Sequence, residues 1–323
     1  MRMSKISKSI VKKEISLVSK GVLRKTGILK IGKFPKAVQI ETINTCNAKC
    51  ISCPYRKGMK RRPEILDFNL YKKIINEIGK YDVWRIDLHV FGEPLLNPKL
   101  EEYIRYAKTH LKRTEVWMST NFSIMTKQRG ENIINSGLDN LLVCVDAFSK
   151  LTYENIKELD YDVVKQNILD FLESLKKIKN HMLFRIAFIP MSENKDEQKN
   201  FFDFWKSKTK GMKNVLVQLK AYEDFGSQVE KQNSIMESYK SIRRKVLSPC
   251  NQIYNMLDVL SNGNVSCCCY DMEGEINLGN IKNQTLFDIW NSEKFKALRK
   301  HIESRDYELL PDLCINCIKG VGK

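Results

Sequence analysis

A chain of 323 residues, 42% of them hydrophobic, is long enough for one large domain, or one domain with an appendage, and buries a core without disulfide staples. No run of 18 apolar residues occurs, and the start MRMSKISKSIVKKEISLVSKG lacks the apolar core and small-residue cleavage site of a secretory signal, so the expected location is the cytoplasm. The net charge of +17 is concentrated at the start, where eleven Lys or Arg face the single Glu14 between Met1 and Lys36.

In that segment Ile6, Ile10, Val11, Ile15, Val18 and Leu23 recur at roughly helical spacing. Such a pattern fits either a helix at the inner membrane face, resting on anionic lipid or a lipid-linked substrate, or a basic cap closing the bottom of a barrel. Phe34 alone interleaves the basic ones, which argues against nucleic acid. From Ala37 onward strand-like and helix-like segments alternate. AVQIETI (Ala37 to Ile43) reads as a strand and Asp67 to Lys80 as a helix; Val83 to Val90 reads as a strand, Pro98 to Leu111 as a helix. Thr114 to Thr120, Asn140 to Asp146, Leu183 to Ile189 and Asn214 to Lys220 read as further strands. Helices are expected over Thr126 to Ser136, Asp162 to Lys179 and Lys195 to Lys208. Six strands separated by helices predict an α/β fold with a parallel sheet, an open, partial (β/α)6 TIM-like barrel or a complete one, whose chemistry sits at the C-terminal ends of the strands. The polar groups that follow each strand agree: Cys46, Cys50 and Cys53, then Gly92 and Glu93, then Ser119 and Asn121, then Asp146. The expected organisation is a basic segment over 1–36, a barrel over 37–224, a connecting helix or linker over 225–249 and a cysteine-bearing unit over 250–323.

Ten cysteines in a reducing compartment are better read as metal ligands or reactive groups than as disulfides. Cys46, Cys50 and Cys53 follow the first strand as C-x3-C-x2-C, with no fourth Cys or His nearby to close a structural zinc site. Three thiolates suit a cluster of four irons instead, since one iron is left open to bind a small molecule. Cys144 reads as a buried strand residue. His89 is an inward barrel position, facing either packing or substrate, and with Asp146 it is the candidate for catalysis.

The loop CNAKCISCP resembles the cluster-binding loop of the radical S-adenosylmethionine (SAM) enzymes. HVFGEPLLNP resembles that family's Gly-Gly-Glu-Pro element, with Phe91 in place of the first Gly, and MSTN (Met118 to Asn121) resembles the stretch that meets the SAM ribose. The resemblance implies that Gly92, Glu93, Ser119 and Asn121 bind SAM, with Glu93 on the ammonium. Ser52 stands where relatives carry a bulky residue against adenine, so Tyr55 or Phe91 would take over that contact. At the fourth strand CVDAFSKLTYENIKELD keeps Asp146 of the family pattern S-V-D-G but lacks its following Arg, which leaves Lys157 as the candidate for a carboxylate clamp.

From Cys250 the spacing C-x12-G-x4-C, then LGNI, LFDIW and a terminal C-x2-C, resembles the auxiliary-cluster extension of the SPASM group in its shorter twitch form. The resemblance implies four ligands, Cys250, Cys314, Cys317 and one of Cys267, Cys268 and Cys269, with Cys268 favoured by its spacing from Gly263. Asn262 and Gly263 predict a hairpin turn. A four-thiolate zinc knot is the alternative by ligand count. Taken together, the resemblance implies two 4Fe-4S clusters, SAM, a flavodoxin- or ferredoxin-type electron donor, and oxidation of a secondary alcohol on a sugar, cyclitol or glycan precursor. The alternatives are a peptide or protein maturase and a zinc-bearing basic module without catalysis.

Overall fold

The computed structural model describes residues 31–229 and 250–319. Most of the basic segment and most of the expected linker lie outside them. Six parallel strands follow the predicted order: β1 (Ala37–Ile40), β2 (Arg85–Asp87), β3 (Glu115–Thr120), β4 (Asn140–Cys144), β5 (Leu183–Phe188) and β6 (Val215–Leu219). The sheet continues beyond them. β7 (Met256–Val259) pairs in parallel with β1, and β8 (Asn264–Ser266) and β9 (Gly279–Asn280) add antiparallel strands, giving the order β6-β5-β4-β3-β2-β1-β7-β8-β9. A sheet with β6 and β9 at its two ends is a partial barrel, as expected. The β7–β8 hairpin turns at Asn262 and Gly263, where Gly263 takes a φ of +87°, a conformation that favours glycine.

The helices are α1 (Phe68–Ile78), α2 (Leu100–His110), α3 (Lys127–Asn135), α4 (Lys150–Lys157), α5 (Tyr161–Lys177), α6 (Gln198–Lys208), α7 (Leu286–Trp290), α8 (Glu293–Ser304) and α9 (Asp312–Lys319). Most start where a short polar side chain accepts a backbone N–H: Asp67, Thr126, Ser149, Asp160, Thr285 and Ser292 cap six of them. Sequence reading centred one helix on Asp162 to Lys179 and missed α4. That helix is short and is cut off by Glu158, whose φ of +53° ends it before Asp160 caps the next.

Period-2 alternation separates two faces of the sheet. Val38, Ile40, Ile86, Val116, Val143, Phe184 and Ile186 join the buried core with Ile75, Ile104, Ile133, Phe171 and Trp205 of the helices. The alternate residues Gln39, Asp87, Trp117, Arg185 and Asp258 therefore point into the barrel. No helix among the described residues is long and apolar enough to cross a membrane.

Candidate active site

The Cys46–Cys53 loop has no regular structure and takes its shape from neighbours. The Cys46 N–H donates to Tyr55 Oη at 3.0 Å, so the Tyr55 hydroxyl is occupied in holding the loop. The N–H groups of Lys49 and Ile51 donate to the carbonyls of Lys157 and Ile156 at 3.1 and 2.9 Å, and Cys53 N–H closes onto Cys50 O at 3.1 Å. Helix α4 is thus the clamp of the thiol loop. Burial pushes the Cys46 thiol up to about 12 and Cys53 to about 11. Cys50 is also raised by burial, opposed by the charge of Lys157. Thiols held so firmly protonated become thiolates when a metal takes the proton's place, which is the chemistry of a cluster site.

Gly92 explains why the second loop fits against the first. With φ at +85°, a Cβ there would lie 2.5 Å from Ile43 O and 2.9 Å from Thr45 O, in the backbone that leads into Cys46. The next N–H, of Glu93, donates to Thr45 O at 2.8 Å. Buried Glu93 gathers three donors: Leu95 N–H at 3.0 Å and the Thr120 hydroxyl at 2.5 Å on Oε1, and Asn121 N–H at 2.7 Å on Oε2. Burial pushes its carboxyl above the ordinary range, and these donors oppose that rise. The Asn121 side chain reaches the thiol loop, donating to Asn47 Oδ1 at 2.9 Å. Ser119 contributes its backbone N–H, which donates to His89 Nδ1 at 3.2 Å and so leaves the imidazole proton on Nε2. Burial, then the charges of Lys220, Arg85 and Arg185, push His89 down to about 3, so it is neutral.

Asp146, with His89 the candidate for catalysis, is fully buried: Oδ1 accepts Ile189 N–H at 2.7 Å and Oδ2 pairs with Lys157 Nζ. Its φ of +63° and the bond from Asn194 Nδ2 to its carbonyl fix the end of β4. It positions Lys157, and the Lys157 ammonium, read as a carboxylate clamp, is bound to this carboxylate beneath the thiol loop. Phe91 is also covered, 4% exposed with its ring 6.2 Å from that of Phe225. Lys220, at the end of β6, went unnoticed in the sequence because a lone lysine after a strand carries no motif.

In the C-terminal part Cys250, Cys268, Cys314 and Cys317 line one apolar cavity of about 30 Å³ with Ile253, Leu313 and the buried Cys267. Cys269 is outside that lining; its Sγ accepts from Gln252 Nε2 at 3.3 Å. Burial pushes Cys314 up to about 12, again a thiol that needs a metal to ionise. Among the described residues no three His, Cys, Asp or Glu converge on a point that suits a single metal ion. Separate thiols on an apolar lining are the donor set of a cluster whose thiolates bind separate irons. The two thiol sets are tied together by Arg61, which chelates the buried Glu41 with two 2.7 Å bonds and donates to Met272 O at 2.6 Å.

The sequence profile of the radical SAM superfamily matches residues 40–200, and that of the SPASM iron-sulfur cluster-binding domain matches 250–318. The S-adenosyl-L-methionine-dependent 2-deoxy-scyllo-inosamine dehydrogenase of Niallia circulans is 22% identical over 286 residues, 88% of this chain and 93% of that one. Among solved structures, BtrN in complex with AdoMet and 2-DOIA superposes with a TM-score of 0.58 at 19% identity, covering 87% of this chain and 92% of that one. SuiB of Streptococcus suis bound to precursor peptide SuiA gives 0.66 at 13% identity, over 86% and 69%. With both profiles matching where the two thiol sets lie, the chain belongs to the radical SAM superfamily of enzymes, with SAM and iron-sulfur clusters as its cofactors and a SPASM domain at its C-terminal end.

Proposed function

We propose that this enzyme oxidises a secondary alcohol on a small molecule: a sugar, cyclitol or glycan precursor. The observation that carries the reading is the second thiol set, Cys250, Cys268, Cys314 and Cys317 around one apolar cavity that Cys267 also lines, in the part of the chain whose β7 joins the sheet that carries the first set. The Niallia circulans dehydrogenase, matched along nearly its whole length, supports it. A peptide-modifying reading draws on SuiB, but 13% identity speaks for the fold alone.

In this reading Cys46, Cys50 and Cys53 hold the first cluster, and Cys250, Cys268, Cys314 and Cys317 hold the second. When bound, SAM and the first cluster supply a 5'-deoxyadenosyl radical for hydrogen abstraction, and the fully ligated second cluster accepts an electron. The protein's own part is positioning. Glu93 presents a carboxylate, already shaped by Thr120, Leu95 and Asn121, to the methionine ammonium. Gly92 lets that loop close onto the thiol loop, and Ser119 and Asn121 bring polar groups to the strand end that meets the ribose. Neutral His89, with Nδ1 accepting from Ser119 N–H, keeps its Nε2–H as a hydrogen-bond donor that orients a substrate oxygen without transferring the proton. The electron donor is of flavodoxin or ferredoxin type, and the eleven basic residues between Met1 and Lys36 support peripheral contact with an anionic membrane.

The test is the double variant Cys314→Ala and Cys317→Ala, prepared anaerobically. Bound iron should fall from about eight to about four per chain, deoxyadenosine should still form, and oxidised product should drop sharply. Full iron retention, or zinc in this site of native protein, would overturn the assignment.

A further inference from the structure

The charge inside the barrel says something about the substrate that the family match does not. On the inward face of β5 and β6 stand Arg185 and, two layers nearer the strand ends, Lys220; β2 adds Arg85. Arg85 is answered by Asp87, with Nε 3.0 Å from Oδ2. Arg185 is not answered. Its guanidinium lies 4.7 Å from the Trp117 ring centre, its buried Nε has no hydrogen-bond partner, and among the described residues the carboxylate whose charge reaches it is Asp87, already paired with Arg85. Lys220 makes no ion pair there either, although its charge acts on His89, Cys144 and Cys53 and its residue is exposed.

The acids on the other wall do not offset this surplus. Glu41 is taken by Arg61, and Asp146 by Lys157. Asp258 is fully buried with neither oxygen bonded, and burial, then the charges of Asp87, Asp271 and Glu41, push its carboxyl well above the ordinary range. Two surplus cations, on residues separated by about 13 Å of backbone rise at roughly 3.3 Å per residue, therefore line the space below the thiol loop.

We propose that the barrel interior selects an anionic substrate, with Lys220 at the mouth or Arg185 on the floor binding its phosphate or carboxylate. This rests on the small-molecule reading above, and it departs from the amine named in the inosamine dehydrogenase's substrate.

The experiment is calorimetric titration of the anaerobic holoenzyme, in the presence of SAM, with glucose 1-phosphate, glucuronate, glucose and 2-deoxy-scyllo-inosamine. Binding needs no turnover, so its outcome is independent of whether alcohol oxidation is the reaction. At least one of the two anions should bind about tenfold tighter than glucose, the worth of one charge-assisted hydrogen bond, and the inosamine should bind most weakly. Whichever anion binds more tightly identifies phosphate or carboxylate as the group. The preference should be lost in Lys220→Met or Arg185→Met and kept in Lys220→Arg, with iron content and SAM affinity unchanged. Equal or undetectable binding of the four probes, tightest binding of the inosamine, or a parallel loss of SAM affinity in Lys220→Met would overturn the proposal.

Discussion

Replacing Glu93 by Gln separates two roles that the structure combines in one side chain. Gln keeps one oxygen, which can still accept from Leu95 N–H and the Thr120 hydroxyl as Oε1 does at 3.0 and 2.5 Å. Its amide nitrogen then faces Asn121 N–H, where Oε2 now accepts at 2.7 Å, so a charge-assisted bond becomes a donor against a donor. Losing that bond costs about 1.5–3 kcal/mol, and relief of a buried charge offsets part of it, leaving about 1–2 kcal/mol of destabilisation. With an unfolding entropy of about 2.1 cal/mol/K per residue, a chain of 323 residues changes by about 0.7 kcal/mol per degree, so the midpoint should fall by about 1.5–3 °C. Calorimetry on anaerobic protein reads that shift, and equilibrium dialysis reads SAM affinity, which should fall more than tenfold as the ammonium loses its carboxylate. A midpoint within one degree of wild type together with unchanged affinity would refute the reasoning; a lowered midpoint with unchanged affinity would confine Glu93 to holding the loops.

Gly92→Ala places a methyl 2.5 Å from Ile43 O and should displace the backbone before Cys46, so iron should fall by about one cluster while the C-terminal site stays loaded. Asp146→Asn strands the buried Lys157 ammonium and should cost about 3–5 kcal/mol in denaturant unfolding, with part recovered when Lys157→Met is added. His89 gives a pH dependence: with its folded value near 3 and an ordinary value of 6.5, the unfolded chain takes up a proton that the folded chain refuses. Stability from this residue is therefore complete above pH 6.5 and is lost as pH falls toward 3; His89→Gln should flatten that part of the acid slope in thermal melts of the apoprotein.

What the sequence made legible was local. The three-thiol spacing, the Gly92–Glu93 pair and the Asn262–Gly263 turn each lie within a few residues, and their chemistry can be read without knowing the rest of the chain. What it hid was set by distance along the chain. The pairing of β7 with β1 is four residues long and leaves no periodic trace, so the C-terminal unit read as an appendage although its first strand continues the barrel sheet. Helix α4 was hidden for another reason: Glu158 ends it in a left-handed conformation after only eight residues, too few to show a 3.6-residue repeat. Arg185 and Lys220 read as ordinary charges, since only the register of β5 against β6 shows that they share the inner face.

The same distances explain how a short cysteine motif becomes a site. The backbone donors of the thiol loop go to Tyr55 within its own turn and to Lys157 and Ile156 in the crossover after β4, while Glu93, from the crossover after β2, donates back to Thr45. Asn121, at the end of β3, adds a side-chain bond to Asn47. The loop therefore acquires its shape only when β1 to β4 have assembled, and its raised thiols ionise only when iron arrives. Folding and cluster loading are coupled through those contacts: a cluster that binds the assembled barrel stabilises all four strand ends together, and a change in any one of the crossovers is felt at the cysteines.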